Sequence, residues 1–274
     1  MRARIVAAAQ ALALYGAVLF LGPILRSRII RLLPDRPWSD HVLDATMLAA
    51  LALAAFVLTR PLFGARGHPR PAPSFRSRFG AAGAALFALG LFALALRLVD
   101  PAYDARELGG RGLDSPGALA AFLTLLPLGV AAEEIVFRSC QSRLRIVLRP
   151  GPAAVTVALA FAAYHWYPGW IWDRHGIETE LALLAGGLVF AVTYEATASL
   201  PILVGVHLIY DNLAVVQAWL NVRQARSAET ALFVLWLSIA GALAWKAGRP
   251  RLAKPFARRP PGASADFSQV PPLQ

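Results

Sequence analysis

Long unbroken stretches of apolar side chains restrict the folds open to this chain more than any other feature. Eight are legible, at residues 5–25, 42–58, 79–99, 117–137, 152–166, 181–198, 200–220 and 229–246. About 20 residues of helix cross the roughly 30 Å hydrocarbon layer of a bilayer, so runs of this length read as membrane spans. Lipid offers no water to the backbone, and a helix satisfies its own N–H and C=O groups. The expected fold is therefore all-α, a polytopic transmembrane helix bundle of about eight spans over residues 1–248. The fifth run is the shortest, and Trp166, Tyr167, Trp170 and Trp172 at its end suit the interfacial belt of a membrane.

Composition excludes an ordinary soluble domain. The chain is 57% hydrophobic and 16% charged, against about 45–50% and about 25% for soluble proteins. The first run follows Arg2 and Arg4 as a secretion signal would. It outlasts the apolar core of about 7–15 residues that such signals carry, and no small-residue cleavage site follows it. It is read as a span.

The net charge of +11 does not point to nucleic acid, because the basic residues sit between the apolar runs. Membrane topology and anionic headgroups account for them. Most of the arginines fall in the N-terminus, 60–78, 138–149 and the stretch after 246, which places both termini in the cytoplasm. The arginines of the first loop (Arg26, Arg28, Arg31 and Arg36) run against that arrangement. The segments 100–116 and 167–180 are acidic and fall outside. Residues 249–274 form a basic, Pro-rich tail, expected to be disordered. Only two of the 27 basic residues are lysine and alanine is abundant, the composition of a GC-rich bacterial genome; the expected location is the bacterial cytoplasmic (inner) membrane. Cys140 is the single cysteine, so no intramolecular disulfide forms.

Within membrane spans, ionisable residues are costly and mark function. Three clusters stand out. The first is Ala131-Ala132-Glu133-Glu134-Ile135-Val136-Phe137-Arg138. Adjacent helical residues point about 100° apart, so the two glutamates can take different roles. Glu134 and Arg138 are i,i+4 and can pair on one face. A satisfied ion pair near a helix end explains those two, but not the second carboxylate, Glu133. The second cluster sets Phe161 and His165 one turn apart. The third sets His207 and Asp211 on one face, with Asn212 adjacent. Each of the last two reads equally as helix-packing hydrogen bonding when taken alone.

Together the three clusters supply what water attack on a peptide bond needs. A carboxylate takes a proton from water, an imidazole orients that water, and polar groups opposite hold the oxyanion. Neither a GxSxG elbow nor an HExxH motif is present. The succession EExxxR, FxxxH and HxxxN/D on successive apolar helices resembles the CAAX-processing and bacteriocin-processing family of intramembrane glutamate endopeptidases, also called the ABI or type II CAAX protease family. The resemblance covers roughly residues 117–220, including Tyr194-Glu195-Ala196-Thr197-Ala198-Ser199-Leu200 before the last motif.

It implies Glu133 as general base and His165 as its partner on the water, with Glu134, Arg138 and Phe161 in support. It implies His207 and Asp211 as the oxyanion-stabilising pair. Asparagine is frequent at the last position of that motif. An ionised Asp211 would repel an oxyanion, so Asp211 is protonated, orients His207, or leaves the role to Asn212. The implied substrate is a membrane protein or peptide precursor. The sequence itself shows no cofactor motif and no nucleic-acid module, and no metal is assigned to the site. Two other readings use the same residues. In one, Glu133, His165 and His207 ligate zinc in a membrane protease. In the other, the clusters belong to a non-enzymatic immunity or transport protein.

Overall fold

A computed structural model describes residues 2–16, 73–100, 102–104, 115–166 and 176–248, with the single residues 46, 50, 53 and 113. Seven helices are delimited: α1 (Arg2–Gly16), α2 (Phe75–Val99), α3 (Pro116–Leu144), α4 (Pro150–Trp166), α5 (Gly176–Thr197), α6 (Leu200–Val222) and α7 (Arg226–Gly248). Among the described residues the regular structure is all helix, in keeping with the apolar runs. Within α2, α3, α5, α6 and α7 lie five segments long and apolar enough to cross a membrane. With 17 residues, α4 reaches about 25 Å at 1.5 Å per residue, slightly short of the hydrocarbon layer. The run at 5–25 is described only as far as Gly16. The run at 42–58, apart from three single residues, and the tail 249–274 lie outside the described residues, so five of the eight expected spans are accounted for in this way.

Helix starts follow local chemistry. Ser115 accepts a hydrogen bond from the Ala118 N–H (3.1 Å), and Pro116 occupies the first turn, where its missing N–H is no loss. Ser74 caps α2 in the same way, accepting from the Ser77 N–H (3.3 Å). Between α5 and α6 only Ala198 and Ser199 intervene. Ala198 adopts φ 49°, a left-handed conformation that ends α5 abruptly. A link this short makes α5 and α6 antiparallel neighbours.

Packing rests on small residues where two backbones meet. A Cβ added at Gly83 of α2 would stand 2.6 Å from Leu243 Cβ and 2.8 Å from the Ala244 nitrogen of α7. The buried Trp236 indole of α7 donates to the Leu86 carbonyl (3.1 Å). The core is built from Leu89, Phe137, Phe161, Phe190, Leu203 and Trp236. The outer surface is apolar at Leu98, Leu128, Val192, Ile209, Leu235 and Trp245. Buried among the helices, by contrast, are Glu134, Arg138, Gln141, His207 and Gln217. Apolar side chains outside and ionisable ones inside is the distribution that lipid imposes on an integral membrane protein.

A second buried group lies at the far end of α2. There Arg97 pairs with Asp104 (2.6 Å) and donates to Gln217 Oε1 and to the Ala214 carbonyl of α6. The end of α2, the segment after it and α6 are thereby tied into one unit.

Candidate active site

The two glutamates of α3 face different helices. Glu133 Oε1 lies 3.7 Å from His165 Nε2 of α4, and Glu134 Oε1 lies 2.7 Å from His207 Nδ1 of α6. The divergence of about 100° between neighbouring helical residues produces this split. One glutamate pair thus serves two histidines on two other helices.

The hydrogen-bonding partners fix the imidazoles. His165 Nδ1 is 2.8 Å from the Phe161 carbonyl, which can only accept, so Nδ1 carries a proton and donates it. In the neutral ring Nε2 is then an acceptor turned toward the Glu133 carboxylate. His207 Nδ1 likewise donates to Glu134, and its Nε2 lies 3.4 Å from Asp211 Oδ2. Phe190 stacks on the His207 ring at 4.1 Å between centroids. The Phe161 ring sits 4.4 Å from His165 and 6.1 Å from His207, edge-on to the latter, and so touches both imidazoles.

Burial divides the group. The Glu134 and Arg138 side chains are 0% exposed and His207 is 4%, whereas Glu133 is 16%, His165 20% and Asp211 26% exposed. Glu133, His165 and Asp211 form an accessible rim over a floor of Glu134, Arg138 and His207, of which His207 alone keeps a small exposed edge. Arg138 Nε stands 2.9 Å from Glu134 Oε2, an ion pair without the alignment of a hydrogen bond. Arg138 Nη1 donates to Gln141 Oε1 (2.5 Å). The Asn212 amide is directed away, donating to the Leu208 carbonyl of its own helix (2.7 Å). Among the described residues no three His, Cys, Asp or Glu gather in a way that could hold a metal ion.

Of the residues singled out from the sequence, Glu133, Glu134, Arg138, Phe161, His165, His207 and Asp211 come together here, and Asn212 does not face the group. Phe190 and Gln141 were not foreseen. Phe190 is one apolar residue among many, and a neutral amide leaves no charge signal in an apolar run. Glu180, assigned with the acidic segment 167–180, stands instead inside α5, where it interacts electrostatically with His165.

Fold and site together define a helical membrane protein with a carboxylate–imidazole centre shared by three helices. Residues 115–213, which carry that whole centre, match the family model described as type II CAAX prenyl endopeptidase Rce1-like. The match falls on the segment in which the three motifs resembled the type II CAAX proteases. Neither the curated proteins nor the solved structures contain a match to the chain.

Proposed function

We propose that the chain is a membrane-embedded endopeptidase of the glutamate type, hydrolysing a peptide bond in a membrane-associated protein or peptide precursor. One observation carries the reading. On the accessible rim, Glu133 Oε1 and His165 Nε2 converge at 3.7 Å while His165 holds its proton on the opposite nitrogen. With the ring neutral these are two acceptors, and a water molecule, with two O–H groups, can donate to both.

In the reaction that follows, Glu133 takes one proton from that water and the oxygen attacks the peptide carbonyl carbon. The carbonyl π electrons move onto oxygen as the new C–O bond forms. The tetrahedral intermediate then collapses, the C–N bond breaks, and the proton passes from Glu133 to the leaving amine. His207 stabilises the oxyanion by donating from Nε2. Donation from Nε2 requires a ring protonated on both nitrogens, because Nδ1–H is held by Glu134. Glu134 and Asp211, on the two edges of the ring, supply the negative charge that supports such an imidazolium. Asp211 thereby orients His207 rather than meeting the oxyanion itself.

The family description names prenyl endopeptidases. For this chain the proposed substrate is a membrane-anchored protein or peptide precursor in a bacterial inner membrane, with both termini of the enzyme in the cytoplasm and its basic segments at anionic headgroups. Glu133→Gln tests the reading, since it keeps the side-chain shape and removes the base. Membrane proteins that accumulate uncleaved in a strain lacking the chain should remain uncleaved when this variant is supplied. Complementation equal to wild type ends the protease assignment.

A further inference from the structure

Behind this floor a line of polar side chains continues away from the histidines. Arg138 Nη1 donates to Gln141 Oε1 (2.5 Å), and Gln141 Nε2 donates both to the Ala191 carbonyl and to Glu195 Oε1 of α5 (3.0 Å each). Glu195 Oε1 in turn lies 3.2 Å from Arg145 Nε at the end of α3. Gln141 is fully buried. Its acceptor and both of its amide hydrogens have partners, and those partners admit one orientation of the amide. Reversing it would set amide hydrogens against the Arg138 guanidinium and the oxygen against a carbonyl.

The Arg138 guanidinium needs this support. Its Nη2 has no hydrogen-bond partner among the described residues, and its Nε faces Glu134 without hydrogen-bond alignment. Gln141 therefore accepts the hydrogen bond that Arg138 makes among the described residues. Arg138 holds one oxygen of Glu134, and the other oxygen of Glu134 holds His207. A guanidinium set loose in this buried space would turn, draw the Glu134 carboxylate with it, and change the angle at which His207 presents Nε2.

We propose that Gln141 is a positioning residue of the active site, transmitting the placement of α5, through Arg138 and Glu134, to the His207 imidazole. Glu195 is the outer anchor of the same line. The assignment rests on the proposed peptidase reading for its catalytic consequence, but not for its structural one.

The test uses the full chain in detergent micelles with 15N-labelled histidine rings, the His207 signals being assigned by comparison with His207→Gln. Gln141→Met keeps the volume and removes the amide. The expected result is a displaced His207 Nδ1–H resonance with an unchanged His165 resonance. With a precursor that accumulates in the deletion strain as substrate, kcat should fall about 10²-fold, the cost of a slight misplacement at the reacting centre, while KM stays unchanged. An unmoved His207 resonance with wild-type kcat overturns the proposal. So does a lowered unfolding temperature with wild-type kcat in the folded fraction, since that is a purely structural role. Should Gln141→Met fail to fold, Glu195→Ala, at a partly exposed position, decides by the same two readings. If Glu133→Gln proves fully active, the peptidase reading fails while the His207 resonance still decides the role of Gln141.

Discussion

At the scale of single residues, the proposed chemistry depends on neighbouring glutamates seeing different surroundings. In the proposed mechanism Glu133 and His165 act on one water, so their losses should not add. General base catalysis contributes about 10²–10⁴-fold, and Glu133→Gln should lower turnover by that order in folded, membrane-inserted protein. His165→Ala should do the same, and the double variant should lose far less than the product of the two. Fully multiplicative losses in purified protein, read beside its metal content, would separate the two residues mechanistically. Arg138 belongs to a different category. Removing one partner of a buried ion pair costs about 3–5 kcal/mol, and Arg138→Ala leaves Glu134 facing His207 alone among the described residues. Its expected signature is a lower melting temperature in detergent and a lower protein level, measurable without any substrate. Undiminished stability with abolished turnover would place Arg138 among the groups that touch substrate.

These residues were legible in the sequence because a charge inside an apolar run is conspicuous. The pairing was less so. Spacing indicated Glu134 with Arg138 and His207 with Asp211, both within one helix. The bond from Glu134 to His207 crosses from α3 to α6, and no local spacing encodes it. Gln141 and Phe190 were hidden for the same reason, since both act across helices.

At the scale of helices, close approach and abrupt turns give the clearest expectations. Gly83→Ala would drive a methyl group to 2.6 Å from Leu243 Cβ and 2.8 Å from backbone nitrogen. Backbone cannot step aside as a flexible side chain can, so α2 and α7 must separate. Overpacking of this kind costs about 1–3 kcal/mol. Gly205 of α6 has nothing within 4 Å of the same added atom. Gly205→Ala should instead leave stability equal or raise it by up to about 1 kcal/mol, because alanine is the better helix former. Thermal unfolding of the two variants in one detergent makes the comparison, and equal melting temperatures would show that α2 and α7 do not meet at Gly83. The left-handed Ala198 offers the opposite sign. Glycine takes that conformation without the Cβ penalty of about 1–2 kcal/mol, so Ala198→Gly should stabilise the protein by part of that amount. A drop in melting temperature would mean that the turn between α5 and α6 is held otherwise.

At the scale of the whole molecule, the helix directions make a topological prediction. From the turn after α3, the chain runs through α4, α5 and α6 before reaching the turn that precedes α7. α4 packs along α5, and α5 is antiparallel to α6 through its two-residue link. Three crossings then separate the α3–α4 turn from the α6–α7 turn, provided that α4 crosses in spite of its modest length. Apolar runs alone could not establish this. They are apolar on every side, so they indicate that a helix crosses but not which helix it lies against.

Under the positive-inside rule, the basic residues around Arg143, Arg145 and Arg149 predict a cytoplasmic position for the first of these turns. Cysteine labelling suits the question because Cys140, the single native cysteine, is fully buried and should stay unlabelled. Val147→Cys, exposed in the α3–α4 turn, should react with a membrane-impermeant maleimide only after the cells are opened. Ser227→Cys, exposed at the start of α7, should react in intact cells. Labelling of both positions from the same side would mean that α4 dips into the membrane without crossing it. The rim of Glu133, His165 and Asp211 would then have to be reached from a different face, and the arrangement of the proposed active site relative to the cytoplasm would have to be redrawn.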